Sequence, residues 1–277
     1  MTISAANNTA ESRRRLTIMV ASCDKYADLW SPFSTLFKKY WPDCPYDIRL
    51  ITESPASKSG LIFNDVMACG RIGWGDRLAK ALEHVETPYV LLLCDDYFLC
   101  DCVDNTKMEH FLDMAEKYAV GNLRLLQNPR HSTVFSLEEK IGAYTPQTPY
   151  CIATQAGIWN TEFLKRLAKG YNSIWEFERL GSFRDDLNLP LIGTQTIEFP
   201  FEDVVHKGKW ESFGIRLCER NGLTPDLSRR KRLSNMDYVR EHLKGAIHDF
   251  NPGLIIKIKN ALTQKNKRLH HEDLSSY

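Results

Sequence analysis

The sequence predicts an α/β fold, a mixed, mostly parallel sheet flanked by helices and followed by a basic helical C-terminal extension. Three observations predict it. Short apolar runs rich in β-branched residues alternate with segments whose apolar residues recur every three or four positions, the rhythm of strand–helix–strand units. Tyr89 to Cys94 is apolar throughout, as a central parallel strand covered on both faces must be. Basic residues gather late in the chain, with eleven basic and three acidic residues between Arg229 and Arg268.

Leu16 to Ala21 reads as the first buried strand, and Ser22-Cys23-Asp24-Lys25-Tyr26 as the polar turn after it. Leu29, Trp30, Phe33, Leu36, Phe37 and Tyr40 then mark one face of a helix over Asp28 to Tyr40, with Pro32 tolerable only in its first turn. Tyr46 to Thr52 has strand spacing and Glu53-Ser54-Pro55 breaks it, which completes a βαβ unit. A third strand is expected within Leu61 to Met67, and Trp74, Leu78, Ala81, Leu82 and Val85 mark a second helix stopped by Thr87-Pro88. After the central strand, Met108 to Tyr118 gives a helix and Leu123 to Leu126 a short strand. A loop holding Pro129, Pro146 and Pro149 leads to an expected strand at Cys151 to Thr154, then to a helix over Thr161 to Lys169 with Asn160 as N-cap and Gly170 at its end. The expected organisation is a frayed, disordered N-terminus over 1–15, one domain over 16–225 and the basic helical extension over 226–277.

At 277 residues, 43% hydrophobic and 26% charged, the chain is an ordinary globular protein large enough for an enzyme. Its 36 Lys and Arg nearly cancel 35 Asp and Glu, so no nucleic-acid partner is expected. The apolar runs fall far short of the ~20 residues of a membrane span, and the polar start is no signal peptide, so a cytoplasmic protein is expected. Eight cysteines without a Cys-x-x-Cys pair read as reduced, buried thiols rather than disulfides or zinc ligands. The P-loop, the Gly-x-Gly-x-x-Gly fingerprint and the Gly-x-Ser-x-Gly elbow are all absent.

In open α/β sheets ligands bind outside the carboxyl ends of the strands. Asp95-Asp96 runs directly out of the most apolar strand, a costly placement unless the pair is hydrogen-bonded or holds a cation. Mg²⁺ or Mn²⁺ would account for it, and such a metal commonly bridges a diphosphate, neutralising charge as it leaves. Two aspartates opening a turn explain the pair equally simply.

The order of elements over Leu16 to Trp210, with the acidic pair in this position, resembles the GT-A glycosyltransferases. The segments Ser22 to Tyr26, Trp41 to Tyr46, Tyr89 to Phe98, Trp175-Glu176-Phe177-Glu178 and Lys207-Gly208-Lys209-Trp210 are similar to those of bacterial enzymes from surface-polysaccharide (capsule or O-antigen) gene clusters. The resemblance implies a GT-A-like, Rossmann-type sheet, a nucleotide-sugar donor and a divalent cation. It places Asp24, Tyr26, Thr52 and Glu53 on base and ribose, and Asp76 and Arg77 in the region closing over the nucleotide; Trp74 could stack there or pack in the core. The motif departs from a strict Asp-x-Asp, so Asp96 is assigned to the metal and Asp95 to ribose or metal, with His206 a loose match for a late metal ligand or an ordinary loop histidine. Gln155 falls near the sugar or acceptor, unless its amide serves the backbone. Lys207 and Lys209 offer a clamp for the diphosphate.

Transfer to a hydroxyl needs a base. Ser173 and Glu176 have capping-box spacing, in which Glu176 turns back to the Ser173 N–H, while Glu178 lies about 200° further round the helix. Glu178 is the favoured base, with Glu176 behind it. The basic stripe of 229–268 suits an anionic membrane surface, where a lipid-linked saccharide acceptor would be fixed, or a helix packed on the domain. The expected function is transfer of a sugar, from a UDP-sugar and with inversion, to a cell-surface glycan or lipid-linked saccharide. The competing readings are a sugar-phosphate nucleotidyltransferase, whose Gly-rich loop is missing here, and a non-catalytic membrane-surface adaptor. Oligomeric state is not legible.

Overall fold

Residues 12–234 are described by the structure, a computed structural model. The chain to Arg232 forms one unit and Leu233 onward a second, and the fold below is that of the first. Its centre is β1 (Leu16–Ala21) beside β4 (Tyr89–Cys94), the two runs with no polar residue but Thr17, and both are buried along their whole length. Alternate side chains feed opposite faces of the sheet. Leu16, Ile18 and Val20 of β1 with Tyr89, Leu91 and Leu93 of β4 enter one apolar cluster, while Met19, Ala21, Val90 and Leu92 enter the other.

The helices cover these faces. On the first lie α1 (Trp30–Tyr40), entered through a 3-10 turn at Asp24–Leu29, α3 (Asn105–Lys117) and α6 (Ser212–Arg220); on the second lie α2 (Trp74–Leu82), α4 (Thr161–Ala168) and α5 (Ile174–Gly181). The remaining strands are β2 (Asp47–Thr52), β3 (Asp65–Ala68), β5 (Tyr97–Leu99), β6 (Asn122–Arg124), β7 (Thr133–Ser136), β8 (Ile141–Ala143), β9 (Gly157–Asn160), β10 (Leu191–Thr194), β11 (Phe201–Asp203), β12 (Val205–His206) and β13 (Lys209–Trp210). Nine of the thirteen strands, β1 and β4 included, form a sheet in the order β3-β2-β1-β4-β9-β6-β10-β8-β7, within which only β9 and β8 run against the rest. Two small ladders, β5 with β11 and β12 with β13, stand apart from it. The mixed, mostly parallel sheet flanked by helices is the one expected.

Three expectations are corrected. Cys151 to Thr154 is not a strand: its groups bond to Ser182, Arg124 and Glu178, and the strand that fits between β4 and β6 is β9, whose Gly157 lies so close to β6 that a Cβ would stand 3.0 Å from Asn122 Nδ2 and 3.2 Å from Leu123 O. The N-terminus is not frayed throughout. Arg15 binds Glu109, Asp113 and Glu116, which share one face of α3 at spacings of four and three, and Ser12 bonds to Glu109; residues 1–11 lie outside the described residues. The segment 226–232 is a turn and an isolated bridge from Arg232 to Trp210 rather than helix, and the rest of the extension, 235–277, lies outside the described residues. Among the described residues no helix is long and apolar enough to cross a membrane.

Candidate active site

The adjacent carboxyl ends of β1 and β4 are held level by a hydrogen bond from Asp95 N to Ala21 O, 3.2 Å. There the Trp30 indole donates to Ser22 Oγ at 2.7 Å, and Ser22 Oγ donates to Asp95 Oδ2. Asp95 is therefore buried, although with Ser22 it still lines the smaller lobe; burial pushes its carboxyl above the usual range, and the Ser22 bond opposes the shift. Asp96 follows it and lines the cleft.

The cleft has two lobes. The larger, about 530 Å³, is walled by Asp96, Tyr97, Thr154, Gln155, Glu178, Asp203, His206 and Lys207; the smaller, about 260 Å³, by Ser22, Cys23, Trp74, Arg77, Asn172 and Ser173. Tyr26, Cys94, Asp96, Ile174 and Trp175 line both.

Asp203 arrives through the β5–β11 ladder, which sets it opposite Tyr97 and so beside Asp96. Its side chain is solvent-accessible but lies in a concave wall with protein on most sides. Desolvation pushes both carboxyls above the usual range, helped by the neighbouring Asp95 at Asp96 and by Asp96 at Asp203. Among the described residues no three His, Cys, Asp or Glu side chains converge to hold a metal. Asp95 is committed to Ser22, and His206 lines the same lobe without completing a cage. The pair Asp96 and Asp203 nevertheless suits a Mg²⁺ or Mn²⁺ ion that keeps one or two carboxylates and takes its other ligands from water and substrate phosphates.

Glu178 lines the same lobe. Its Oε1 accepts from Thr154 N at 2.7 Å and Thr154 Oγ1 at 2.6 Å. Burial raises its carboxyl and Thr154 pulls it back. Gln155, the next residue after Thr154, lines the lobe with an Oε1 that has no partner among the described residues. Glu176 is not part of the cleft lining. It caps the start of α5 from one residue further back than the capping box predicts, accepting from Asn172 N at 2.9 Å, while Ser173 Oγ accepts from Glu176 N at 3.2 Å.

The residues expected to hold base and ribose separate into two groups. Tyr26 and Arg77 line the cleft. Asp24 accepts from Glu53 N and Ser54 N, and those bonds from Ser54 and Glu53 keep its carboxyl below the usual range; Glu53 accepts from Asp24 N and pairs with Arg77 at 3.4 Å. Thr52 is buried, and its hydroxyl bonds to Ser54 O. These contacts hold the turns after β1 and β2 together behind the smaller lobe. Asp76 is drawn away: it accepts from Gly170 N at 2.8 Å. The first turn of α2 is closed too, because Trp74 N and Gly75 N donate to Asn172 O and Tyr171 O, so these orphan donors are not left for a phosphate. Trp74 both tilts against Phe177 at 5.3 Å and lines the smaller lobe.

Lys207 and Gly208 form the two-residue turn between β12 and β13, with φ of 49° and 78°, the left-handed pair that such a hairpin requires. Lys207 lines the larger lobe; Lys209, paired across the ladder with His206, is not among its lining residues. Three residues that sequence reasoning did not single out also belong here. Asp203 is delivered by a ladder with no local signal; Trp175, 69% exposed, lies one turn before Glu178; Arg230 lies in the segment read as suited either to a membrane surface or to packing on the domain, and is 4% exposed.

No protein-family model matches the chain, and no curated protein matches it. Solved structures similar to it include a mannosyltransferase, PcManGT from Pyrobaculum calidifontis, in complex with GDP-Man and Mn²⁺ (14% identity, TM-score 0.43, covering 71% of this chain and 59% of that one). Another is S. aureus TarS 1-349 in complex with UDP (11%, 0.37, 66% and 60%). A third is the bifunctional IspDF from Campylobacter jejuni (14%, 0.35, 60% and 47%). The match thus spans less than two thirds of each of these chains. Similarities this distant do not bear on the chemistry of the cleft, which rests on its own residues.

Proposed function

We propose that the chain is a nucleotide-sugar-dependent glycosyltransferase. The observation that carries the reading is one lobe lined by three carboxylates that desolvation raises, the neighbouring Asp96 and Asp203 and, on a different element, Glu178. The aspartate pair suits a cation-bound diphosphate, and Glu178 a base for an acceptor hydroxyl.

In this mechanism the nucleotide enters past Tyr26 and Arg77, and its diphosphate lies along Asp96, Asp203 and Lys207. A divalent cation held by Asp96 and Asp203 would neutralise charge on the departing diphosphate. The acceptor oxygen attacks the anomeric carbon, its proton passes to Glu178, the bond from that carbon to the phosphate oxygen breaks, and the electron pair leaves with the nucleoside diphosphate. Burial makes Glu178 a stronger base than an exposed glutamate, and the Thr154 bonds fix its Oε1 so that Oε2 can take the proton. Single displacement of this kind inverts the anomeric centre. The donor in this reading is a UDP-sugar and the acceptor a hydroxyl of a cell-surface glycan or lipid-linked saccharide.

The test is calorimetric titration with UDP, GDP, CDP and dTDP, with and without Mn²⁺, on the wild-type chain and Asp96→Ala. Cation-dependent binding of one nucleotide, lost in Asp96→Ala, is expected. Binding of none of the four under either condition would overturn the reading.

A further inference from the structure

We infer that Arg230 is a positioning residue of the cleft, which holds the Tyr26 ring as a fixed wall between the two lobes; the inference rests on the nucleotide-binding reading above. The guanidinium lies over the Tyr26 ring, 4.2 Å from its centroid. Its Nε and Nη2 donate to the two carboxylate oxygens of Asp28, at 3.2 and 3.1 Å, and both partners are almost fully buried, at 4% and 7% exposure. A planar cation that forks onto a carboxylate and stacks on a ring in the same pose is a task for arginine, since a lysine ammonium can satisfy only one of the two contacts at a time.

Arg230 is placed by its own short segment. Asp226 caps the turn by accepting from Ser228 N and Arg229 N, Arg230 N donates to Asp226 O, and Lys231 O accepts from Trp210 N at the end of β13. The Lys207-Gly208 hairpin lies close as well: a Cβ built on Gly208 would stand 3.8 Å from Arg230 Nη1. One buried side chain therefore touches the turn carrying Tyr26 and Asp28 and approaches the turn carrying Lys207. Tyr26 lines both lobes, so fixing its ring fixes their junction and spares the ligand the cost of ordering it.

The test is a double-mutant cycle on nucleotide affinity, using whichever of UDP, GDP, CDP or dTDP binds most tightly with Mn²⁺. Arg230→Met and Tyr26→Leu are each expected to weaken binding roughly tenfold, and the double variant no more than the worse single, because one acts through the other. Arg230→Lys should fall between wild type and Arg230→Met. Losses that multiply, or wild-type affinity in Arg230→Met, would overturn the inference while leaving the functional reading intact. Should Arg230→Met fail to fold, Arg230→Lys decides: wild-type affinity overturns the inference, and weakened binding that Tyr26→Leu does not deepen supports it. If the wild-type chain binds none of the nucleotides, the functional reading falls, and the ring contact is read without ligand. The ¹⁹F signal of fluorotyrosine at Tyr26, assigned by its loss in Tyr26→Leu, is expected to shift in Arg230→Lys, and an unchanged signal overturns the contact itself.

Discussion

Glu178 and Glu176 stand two residues apart on one helix, yet only one faces the cleft. Glu178 is desolvated and anchored through Thr154, whereas Glu176 spends its carboxylate on the Asn172 amide. Glu178→Gln keeps the Thr154 anchor but cannot take a proton, so transfer should fall by at least ~10²-fold with nucleotide binding retained; a turnover assay beside calorimetry checks this. Glu176→Gln should leave turnover nearly unchanged. The acidic wall has a consequence for pH. Asp96 and Asp203 have folded-state pKa values above their unfolded ones, so the native state binds more protons and stability falls as pH rises. The fall begins near the ordinary carboxylate value of ~4 and ends above the raised values. Thermal melts of the cation-free protein at increasing pH should show it, and Asp203→Asn should raise the melting temperature at alkaline pH and flatten the curve.

Among the elements, α2 and α4 approach so closely that no side chain fits between them at one point. A Cβ on Gly75 would lie 1.8 Å from Ala168 O. Gly75→Ala must push α2 off α4, which costs about 3 kcal/mol or more by urea denaturation. The same shift should weaken nucleotide binding, because Trp74 and Arg77 on α2 line the smaller lobe. The residues at the start of α2 illustrate how a helix start can mislead: Asp76 looks placed for a ligand in the sequence, but the 170–172 turn takes both its carboxylate and the first N–H groups of the helix.

At the scale of the whole molecule, Asp28 and Arg230 join positions 202 residues apart. Asp28→Ala would leave the Arg230 guanidinium buried and without its two acceptors, and should cost about 3–5 kcal/mol in chemical denaturation. The acidic wall is assembled on the same scale, Asp96 from the end of β4 and Asp203 from β11. Since no three ligands converge among the described residues, Mn²⁺ titrated alone should bind weakly, and addition of a nucleoside diphosphate should tighten it, each increasing the affinity of the other.

By itself the sequence determined the layered α/β architecture. Leu16 to Ala21 and Tyr89 to Cys94 are strands at the bounds read from their apolar runs, and the helices at Trp30, Trp74 and Asn105 follow their three-and-four spacing. These are local signals, written in the order in which side chains meet the core. It also marked the carboxyl end of β4, and the 200° between Glu176 and Glu178, as places for chemistry. What only the tertiary structure decided is which groups meet there. Asp203 reaches Asp96 through an antiparallel ladder, Arg230 reaches Tyr26 from 204 residues away, Asp95 is bonded by Ser22, and β9 rather than Cys151 to Thr154 fills the sheet. Each of these depends on pairing between distant segments, and neither periodicity nor a short motif records such pairing.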